Sequence, residues 1–453
     1  MIGEEKAREI MRLALGHAKA DQAEVVLMAE DSFLTRFANS YIHQNVAERN
    51  HSLSVRAVIG KRIGMAATNR LDPGEIKRTA GLACRIAGVQ RENKEFVSLP
   101  GPQKEPASPA ALCVADTVSF SAAQRAVRVR MMCGRALKRK ARAFGALSTG
   151  VAEVAVANSL GVERYNLSSD AYVNTVVMTD TGAGYGQGAH RDVRKIDFEG
   201  IAEAAARKAV DSRNPSDLAP GRYPVVLEET AVYTLLEFLN YTGFSARAVQ
   251  EGRSFMGGRF GKRIMDPRIT IADDPQDRRG FAFPFDFEGV PKRKIVLIEK
   301  GVARSVVYDS MTAGREKRES TGHAMPAPSY HPMAGNLVMS PGDTPLKRLV
   351  ESTRRGVYVT RFHYVNLIDP MEVSITGMTR DGTFLIENGR ITRPVKNLRF
   401  TVSVLKCLNS LAAVGNRSIL VSEPGGYGHR FATGSRVPAL KINSFSFTGG
   451  TDF

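Results

Sequence analysis

Ser320-Thr321-Gly322-His323 brings a hydroxyl and an imidazole within three residues. Nucleophilic hydrolysis needs that pairing, with the imidazole taking the hydroxyl proton. No Gly-x-Ser-x-Gly elbow accompanies it, and the four residues read more simply as a polar turn. Metal-assisted hydrolysis would instead need three His, Cys or carboxylate ligands converging beside a base, usually two histidines a helical turn apart around a glutamate. The eight histidines (His17, His43, His51, His190, His323, His331, His363 and His429) include no His-Glu dipeptide, and none falls between His190 and His323. They read as ordinary loop residues. Cys84, Cys113, Cys133 and Cys407 form no Cys-x-x-Cys pair and read as buried thiols of a reducing compartment.

Two other patterns bear on ligands. Gly182-Ala-Gly184-Tyr-Gly186-Gln-Gly188 follows a strand, as a phosphate-binding loop would, but lacks the Lys-Ser/Thr of a P-loop and the dinucleotide fingerprint. A flexible hairpin is the plainer expectation. Eight basic residues lie between Arg125 and Arg142, the candidate surface for nucleic acid or an acidic partner. No aromatic residues interleave with them and no binding motif is present, so a solvated helix face is expected, with Val127, Met131, Gly134 and Leu137 as its packed stripe.

The elements that would position these residues fall into three stretches. The first holds a helix over Glu4–Ala20, a short strand from Glu24, a strand over Phe33–Asn45, and a hairpin over His51–Thr68. In that hairpin Leu53, Val55, Ala57 and Ile59 alternate outward, and Ile63, Met65 and Ala67 alternate on the return. Asp72-Pro73-Gly74-Glu75 then starts a helix to about Gly88. Four prolines between Leu99 and Pro109 mark a linker. The second stretch predicts one long helix over Ser121–Phe144, strands at Val151–Ala157 and Tyr172–Thr179, and a helix at Phe198–Asp211. Pro215, Pro220 and Pro224 mark the next boundary. The third opens with a strand at Val225–Leu227 and a helix at Thr230–Thr242. Many short glycine-broken strands follow, with a helix at Val404–Val414 and a last strand at Phe445–Phe447. The fold class is therefore α+β. An N-terminal α/β lobe spans 1–98, a middle α+β unit with the basic helix spans 110–215, and a large, mixed, mostly antiparallel β domain spans 222–453.

With 453 residues, 43% of them hydrophobic and 24% charged, the chain is long enough to bury a large core without disulfides, which excludes a disordered protein or a small stapled scaffold. The net charge of +17 admits nucleic acid, an acidic partner or no specific partner. The first residues carry acid where a signal peptide would carry base, and no run of 18 apolar residues occurs, so a soluble, cytoplasmic protein is expected.

Several strings together resemble the TldD/PmbA family, formerly called modulator of DNA gyrase. They are Phe37-Ala-Asn-Ser-Tyr-Ile-His-Gln-Asn45, Gly252-Arg-Ser-Phe-Met-Gly-Gly-Arg-Phe-Gly261, Ile269-Thr-Ile-Ala-Asp-Asp-Pro275, Pro284-Phe-Asp-Phe-Glu-Gly-Val-Pro291, Ser320-Thr-Gly322 and Gly377-Met-Thr-Arg-Asp-Gly-Thr-Phe-Leu-Ile-Glu-Asn388. The resemblance implies a cytoplasmic two-component proteolytic system, in which a TldD subunit carries zinc and cleaves peptides and a PmbA (TldE) subunit pairs with it. The TldD branch carries His-Glu-x-x-x-His after Leu-Leu on a helix. Here Leu235-Leu236 is followed by Glu237, Phe238 and Thr242 at the positions of the first histidine, the glutamate and the second histidine. The branch also takes a late cysteine from a glycine-rich loop, and the matching Gly425-Gly426-Tyr427-Gly428 has none. The chain therefore resembles the PmbA branch. That implies no catalytic residue and no metal in this chain, zinc in a TldD-like partner, and a heterodimer with it, or a homodimer in its absence. It further implies unfolded peptide as ligand, neither membrane nor nucleic acid, and Ser254, Ser320, Thr321 and His323 as peptide-cleft candidates. Two alternatives stand beside it: an autonomous hydrolase built on Ser320, His323 and Glu237, and a basic nucleic-acid-binding protein.

Overall fold

A computed structural model describes residues 1–104, 112–326, 331–423 and 430–451. The Gly425-Gly426-Tyr427-Gly428 loop, His429, and Pro106 and Pro109 of the linker lie outside the described residues. The fold is α+β. No helix among the described residues is long and apolar enough to cross a membrane.

The first half contains α1 (Glu4–His17), β1 (Gln22–Ala38), β2 (Tyr41–Ile59), β3 (Arg62–Thr68) and α2 (Pro73–Val89). After the linker come α3 (Ala115–Val118), α4 (Ala122–Lys138), β4 (Arg142–Asn158), β5 (Glu163–Met178), β6 (Ala183–His190) and α5 (Phe198–Asp211). All six strands form one antiparallel sheet in the order β3-β2-β1-β4-β5-β6. The stretches on either side of the linker meet at the β1–β4 pairing and share this sheet.

Alternation along the strands separates the two faces by function. Val25, Leu27, Val55 and Ala155 point to α1 and α2, and Leu147, Ala171 and Val173 point the same way to α4 and α5. The opposite face carries Val26, Met28, Val154 and Val156, which pack against phenylalanines of the C-terminal domain.

The third stretch holds β7 (Gly221–Leu227), α6 (Glu229–Gly243), α7 (Ala246–Gln250), β8 (Ile271–Asp273), β9 (Ile295–Glu299), β10 (Val302–Ala303) and α8 (Ser310–Arg315). Then follow β11 (Leu337–Met339), α9 (Leu346–Glu351), β12 (Arg355–Asp369), β13 (Ser374–Glu387), β14 (Arg390–Pro394), β15 (Leu398–Ser403), α10 (Val404–Asn409), β16 (Leu411–Val421) and β17 (Ser435–Gly450). These eleven strands are mostly antiparallel, and β7 pairs with both β12 and β17. The β17-β15-β13-β12-β7 run therefore closes into a ring. The α6 stripe of Val232, Leu235, Leu236 and Leu239 is buried in the same core as Leu227, Val357, Val359 and Leu440.

Several expectations need correction. Phe33–Asn45 is not one strand: Asn39 and Ser40, at φ 50° and 64°, make the tight turn between β1 and β2. On β3 the helix-facing residues are Gly64 and Ala66, opposite Ala57 and Val55, rather than Ile63, Met65 and Ala67. A Cβ at Gly64 would lie 2.2 Å from the Ala83 carbonyl oxygen of α2, so the close helix selects small residues. The predicted helix over Ser121–Phe144 stops at Lys138, where Lys140 turns through φ 55° into β4. Its packed stripe is Arg125, Val129, Met132, Cys133 and Ala136, while Val127 and Leu137 are exposed (58% and 56%). Helix α10 ends at Asn409 and a strand resumes at Leu411. The strands at Glu372–Gly377 and Gly382–Glu387 are one strand, β13, and Phe445–Phe447 is the end of the long β17. β6 returns antiparallel to β5 as the expected hairpin, and its alternating glycines hold it close against α5. They form the bed under α5: a Cβ at Gly184 would lie 2.1 Å from the Ala205 carbonyl oxygen, and one at Gly182 would lie 2.4 Å from that of Ala209.

Candidate functional site

One edge of α6 borders a cavity. Tyr233, Glu237 and Asn240 recur at i, i+4 and i+7 and line a cavity of about 170 Å³. The other walls are Phe283, Phe285, Phe287 and Phe431, the 323–325 and 333–335 segments, and Gly434-Ser435 at the start of β17. Glu237 accepts a hydrogen bond from the Ser435 hydroxyl at 2.9 Å. Burial pushes its carboxyl up to about 7, against the Ser435 hydrogen bond, and the nearby Glu423 charge adds to the rise. Asn240 donates its Nδ2 to the Ala334 carbonyl at 3.0 Å, and among the described residues nothing donates to its buried Oδ1.

The other two positions on this helix turn away. Phe238 packs against the core, and the buried Thr242 hydroxyl donates to the Phe238 carbonyl at 2.7 Å. Glu237, Phe238 and Thr242 do not converge on a point. One carboxyl beside a phenyl ring and a self-bonded hydroxyl does not fit zinc. Among the described residues no group of three or more His, Cys, Asp or Glu could hold a metal ion.

His323 is fully buried behind the cavity. Its Nε2 lies 3.3 Å from Asp273 Oδ1, and its Nδ1 lies 2.9 Å from the Thr321 hydroxyl. Ser320 donates to the Tyr308 carbonyl at 3.2 Å, the Tyr308 N–H donates to Thr321 Oγ1 at 2.7 Å, and the Thr321 hydroxyl lies 3.0 Å from the Tyr308 carbonyl oxygen and 2.9 Å from His323 Nδ1. Burial and the Lys292 charge hold the imidazole below its usual range. Burial raises the Asp273 carboxyl, but Lys292, His323 and the Asn336 N–H outweigh that and hold it well below the carboxylate range. Gly335 and Asn336 donate their backbone N–H groups to its Oδ2 at 2.6 and 2.9 Å.

Ser320 and His323 therefore do not form a nucleophile–base pair; both serve a buried cross-link. Ser254 is likewise structural: it donates to the Gly243 carbonyl at 2.8 Å and accepts from Met256 N–H at 3.0 Å, tying the end of α6 to the next loop. Of the sequence candidates, only Glu237 and His323 line the cavity. All four cysteines are free thiols, and burial raises every one of them.

The Asp286-Phe-Glu-Gly string builds the junction beside the cavity. Asp286 accepts backbone N–H groups from Glu288, Val290 and Ala324, each at 2.9 Å. Glu288 accepts from Arg56 at 3.2 Å and from the Ser310 N–H at 2.9 Å, and Arg56 also reaches Glu24 at 2.7 Å. Burial drives the Glu24 carboxyl up to about 7 despite Arg56.

A second, larger cleft of about 720 Å³ lies on the uncovered half of the same sheet face. It is lined by Glu30, Arg36, Gln44, Glu48, Tyr172 and Asn174, among others, and it shares Phe431 and Thr433 with the cavity. Arg430 closes its floor through two bonds to Asp170, at 2.7 and 2.5 Å, and others to Ser32 and Ser148 at 3.0 and 2.8 Å.

Sequence reasoning missed Asn240, Ser435 and the aromatic wall. Asn240 was findable, three residues after Glu237 on one helix face. So was the alternation of phenylalanine at 281, 283, 285 and 287. Ser435 was not, because only the tertiary fold brings β17 beside α6.

Comparison with known proteins follows the three stretches. Family models described as PmbA/TldA metallopeptidase domain 1, central domain and C-terminal domain match residues 23–87, 116–213 and 220–449. A metalloprotease of Methanothermobacter thermautotrophicus is 28% identical over 326 residues, 68% of this chain and 71% of that protein. The metalloprotease PmbA of Escherichia coli O157:H7 is 22% identical over 430 residues, 92% of this chain and 91% of that one. The crystal structure of TldE from Thermococcus kodakarensis superposes with a TM-score of 0.87 at 22% identity, covering 98% of this chain and 100% of the other, a likeness of fold.

Proposed function

This chain belongs to the PmbA/TldD metallopeptidase family, and we propose that within it the chain is the TldE-type subunit that holds no zinc and does not cleave. Its partner is a TldD-like subunit carrying the metal, paired with it as a heterodimer in the cytoplasm; without the partner the chain forms a homodimer. The observation that carries this reading is the donor set on α6. Glu237 is tied to Ser435, Phe238 is packed inward and Thr242 is bonded to its own helix. No residue there is placed to take a proton from a metal-bound water.

The work left to this chain is to bind and enclose. The cleft over the sheet presents acids, bases and amides from several strands, a surface suited to an extended, unfolded peptide rather than to one fixed sequence. Cleavage and its zinc belong to the partner. Nucleic acid is no part of the reading, because three of the eight basic residues are already partnered and no aromatic residues interleave with the exposed Arg128, Arg130, Lys138, Lys140 and Arg142. Arg125 bonds to Thr35, Thr149 and the Phe120 carbonyl, and Arg135 and Arg139 pair with Glu199 and Glu203.

Co-expression with a TldD-like chain from the same source tests the proposal. The expected result is co-purification, peptide cleavage by the pair and none by this chain alone. Zinc at about one per chain in the isolated protein, together with cleavage, would overturn it.

A further inference from the structure

The cavity behind α6 sets polar acceptors against an aromatic wall. Two hydrogen-bond acceptors stand on one helix face. Glu237 uses Ser435 at Oε1, and Asn240 Oδ1 has no donor among the described residues although Asn240 is 4% exposed. A buried acceptor left without a donor costs about 1–3 kcal/mol, which a ligand supplying the donor recovers. Around these acceptors lie the faces and edges of four phenylalanines. Phe283 sits 5.0 Å from Phe285 and from Phe431 between ring centroids, and Phe287 sits 5.2 Å from Phe431. Met325 and Met333 complete the apolar wall.

Charge decides between a neutral and a cationic donor. Among the groups that shift Glu237 the only charge is another acid, Glu423, and no cation appears. Lys292 lines the same cavity, but it acts on Asp273 and His323. A cation near phenyl faces and beside a carboxyl gains from both. At about 170 Å³ the cavity has room for one apolar group of benzene size, which cavities of about 150 Å³ accept. Phe431 and Thr433 line both this cavity and the sheet cleft.

We propose that this cavity captures the free α-amine end of a peptide whose first residue is apolar, the ammonium bridging Glu237 and Asn240 and the side chain lying among Phe283, Phe285, Phe287 and Phe431. The proposal rests on the peptide-binding reading above and names the end of the peptide that enters first. The degenerate metal position becomes an amine seat, which fixes where an unfolded chain starts in the cleft.

The test is calorimetric titration of the full-length protein at pH 7.5 with a leucine-initiated tetrapeptide amide and with its N-acetylated twin. The free amine should bind at least ten-fold more tightly, and Glu237→Gln, which keeps a partner for Ser435, should abolish that preference. A second measurement needs no variant: phenethylamine should displace the free-amine peptide, and 3-phenylpropionate, the same size with opposite charge, should not. Equal binding of the two peptides would overturn the amine seat and leave the peptide cleft standing. Binding of neither at millimolar concentration, the outcome if only water fills the cavity, would also overturn it. Co-purification and cleavage with a TldD-like chain judge the subunit reading separately.

Discussion

Arg56 of β2 and Glu288 of the C-terminal domain meet at 3.2 Å, both buried, across the junction between the six-stranded sheet and the domain that carries the cavity. The same guanidinium holds Glu24 at 2.7 Å, and Asp286 and Asp309 lie close enough to Glu288 for its charge to raise both carboxyls further, beyond the larger effect of burial. The junction therefore holds more acid than base. Breaking a buried pair by removing one partner costs about 3–5 kcal/mol, because the other charge is left desolvated. Arg56→Met should destabilise the chain by that amount in urea unfolding. A loss under about 1 kcal/mol would mean that water reaches the junction.

Glu24 and Glu237 both stand at about 7 in the folded chain, above the ordinary carboxylate value of 4.5. A raised carboxyl contributes stability that is complete below its unfolded value and is lost as pH rises through its folded one. Stability should therefore fall between about pH 5 and pH 8 from these two groups. His323, held below its usual range, works in the opposite sense near pH 6 and is common to all variants compared. Glu237→Gln removes one raised group, so its unfolding free energy should lose on the order of 2–3 kcal/mol less than wild type over that interval. Parallel pH profiles for the two proteins would refute the account.

The glycines of β6 support a separate prediction. Gly184→Ala places a methyl 2.1 Å from the Ala205 carbonyl and 2.6 Å from the Ala209 amide, and neither backbone atom can rotate aside. Overpacking of this kind costs about 1–3 kcal/mol, and α5 must lift from the strand. Gly449→Ala in β17, with nothing within 4 Å of the added carbon, is the matched control and should be near neutral. Equal melting temperatures for the two variants would show that α5 does not press on these glycines.

What the sequence made legible followed from short-range rules. Asp72 caps α2 through the Glu75 N–H, Phe198–Asp211 is a helix over that whole range, and the α6 stripe is core. Each depends on residues within one or two turns. The errors share one cause, namely partners far away in sequence. The continuous strand β1 looked broken because its two faces meet different surroundings, helices on one side and the C-terminal domain on the other. The aromatic wall and Ser435 reach Glu237 only through tertiary closure. Val127 and Leu137 are exposed although apolar, because the sheet side of α4 belongs to Arg125, Val129, Met132, Cys133 and Ala136.

Arg125 is the last point where charge and structure disagree with composition. It is 3% exposed in the middle of a basic run, with its guanidinium on Thr35, Thr149 and the Phe120 carbonyl and 5.3 Å from the Phe33 ring. Burial lowers its affinity for a proton, yet it remains charged. Arg125→Ala would leave two threonine hydroxyls and a carbonyl short of their donor and open a void between α4 and β1, a loss of about 2–4 kcal/mol. Arg130→Ala, on the exposed side of the same helix, should change stability by under about 0.5 kcal/mol. Chemical unfolding of the two variants side by side checks this. If instead Arg125→Ala unfolds like wild type and loses affinity for a DNA duplex with a shallower salt slope, the basic run is a nucleic-acid surface after all.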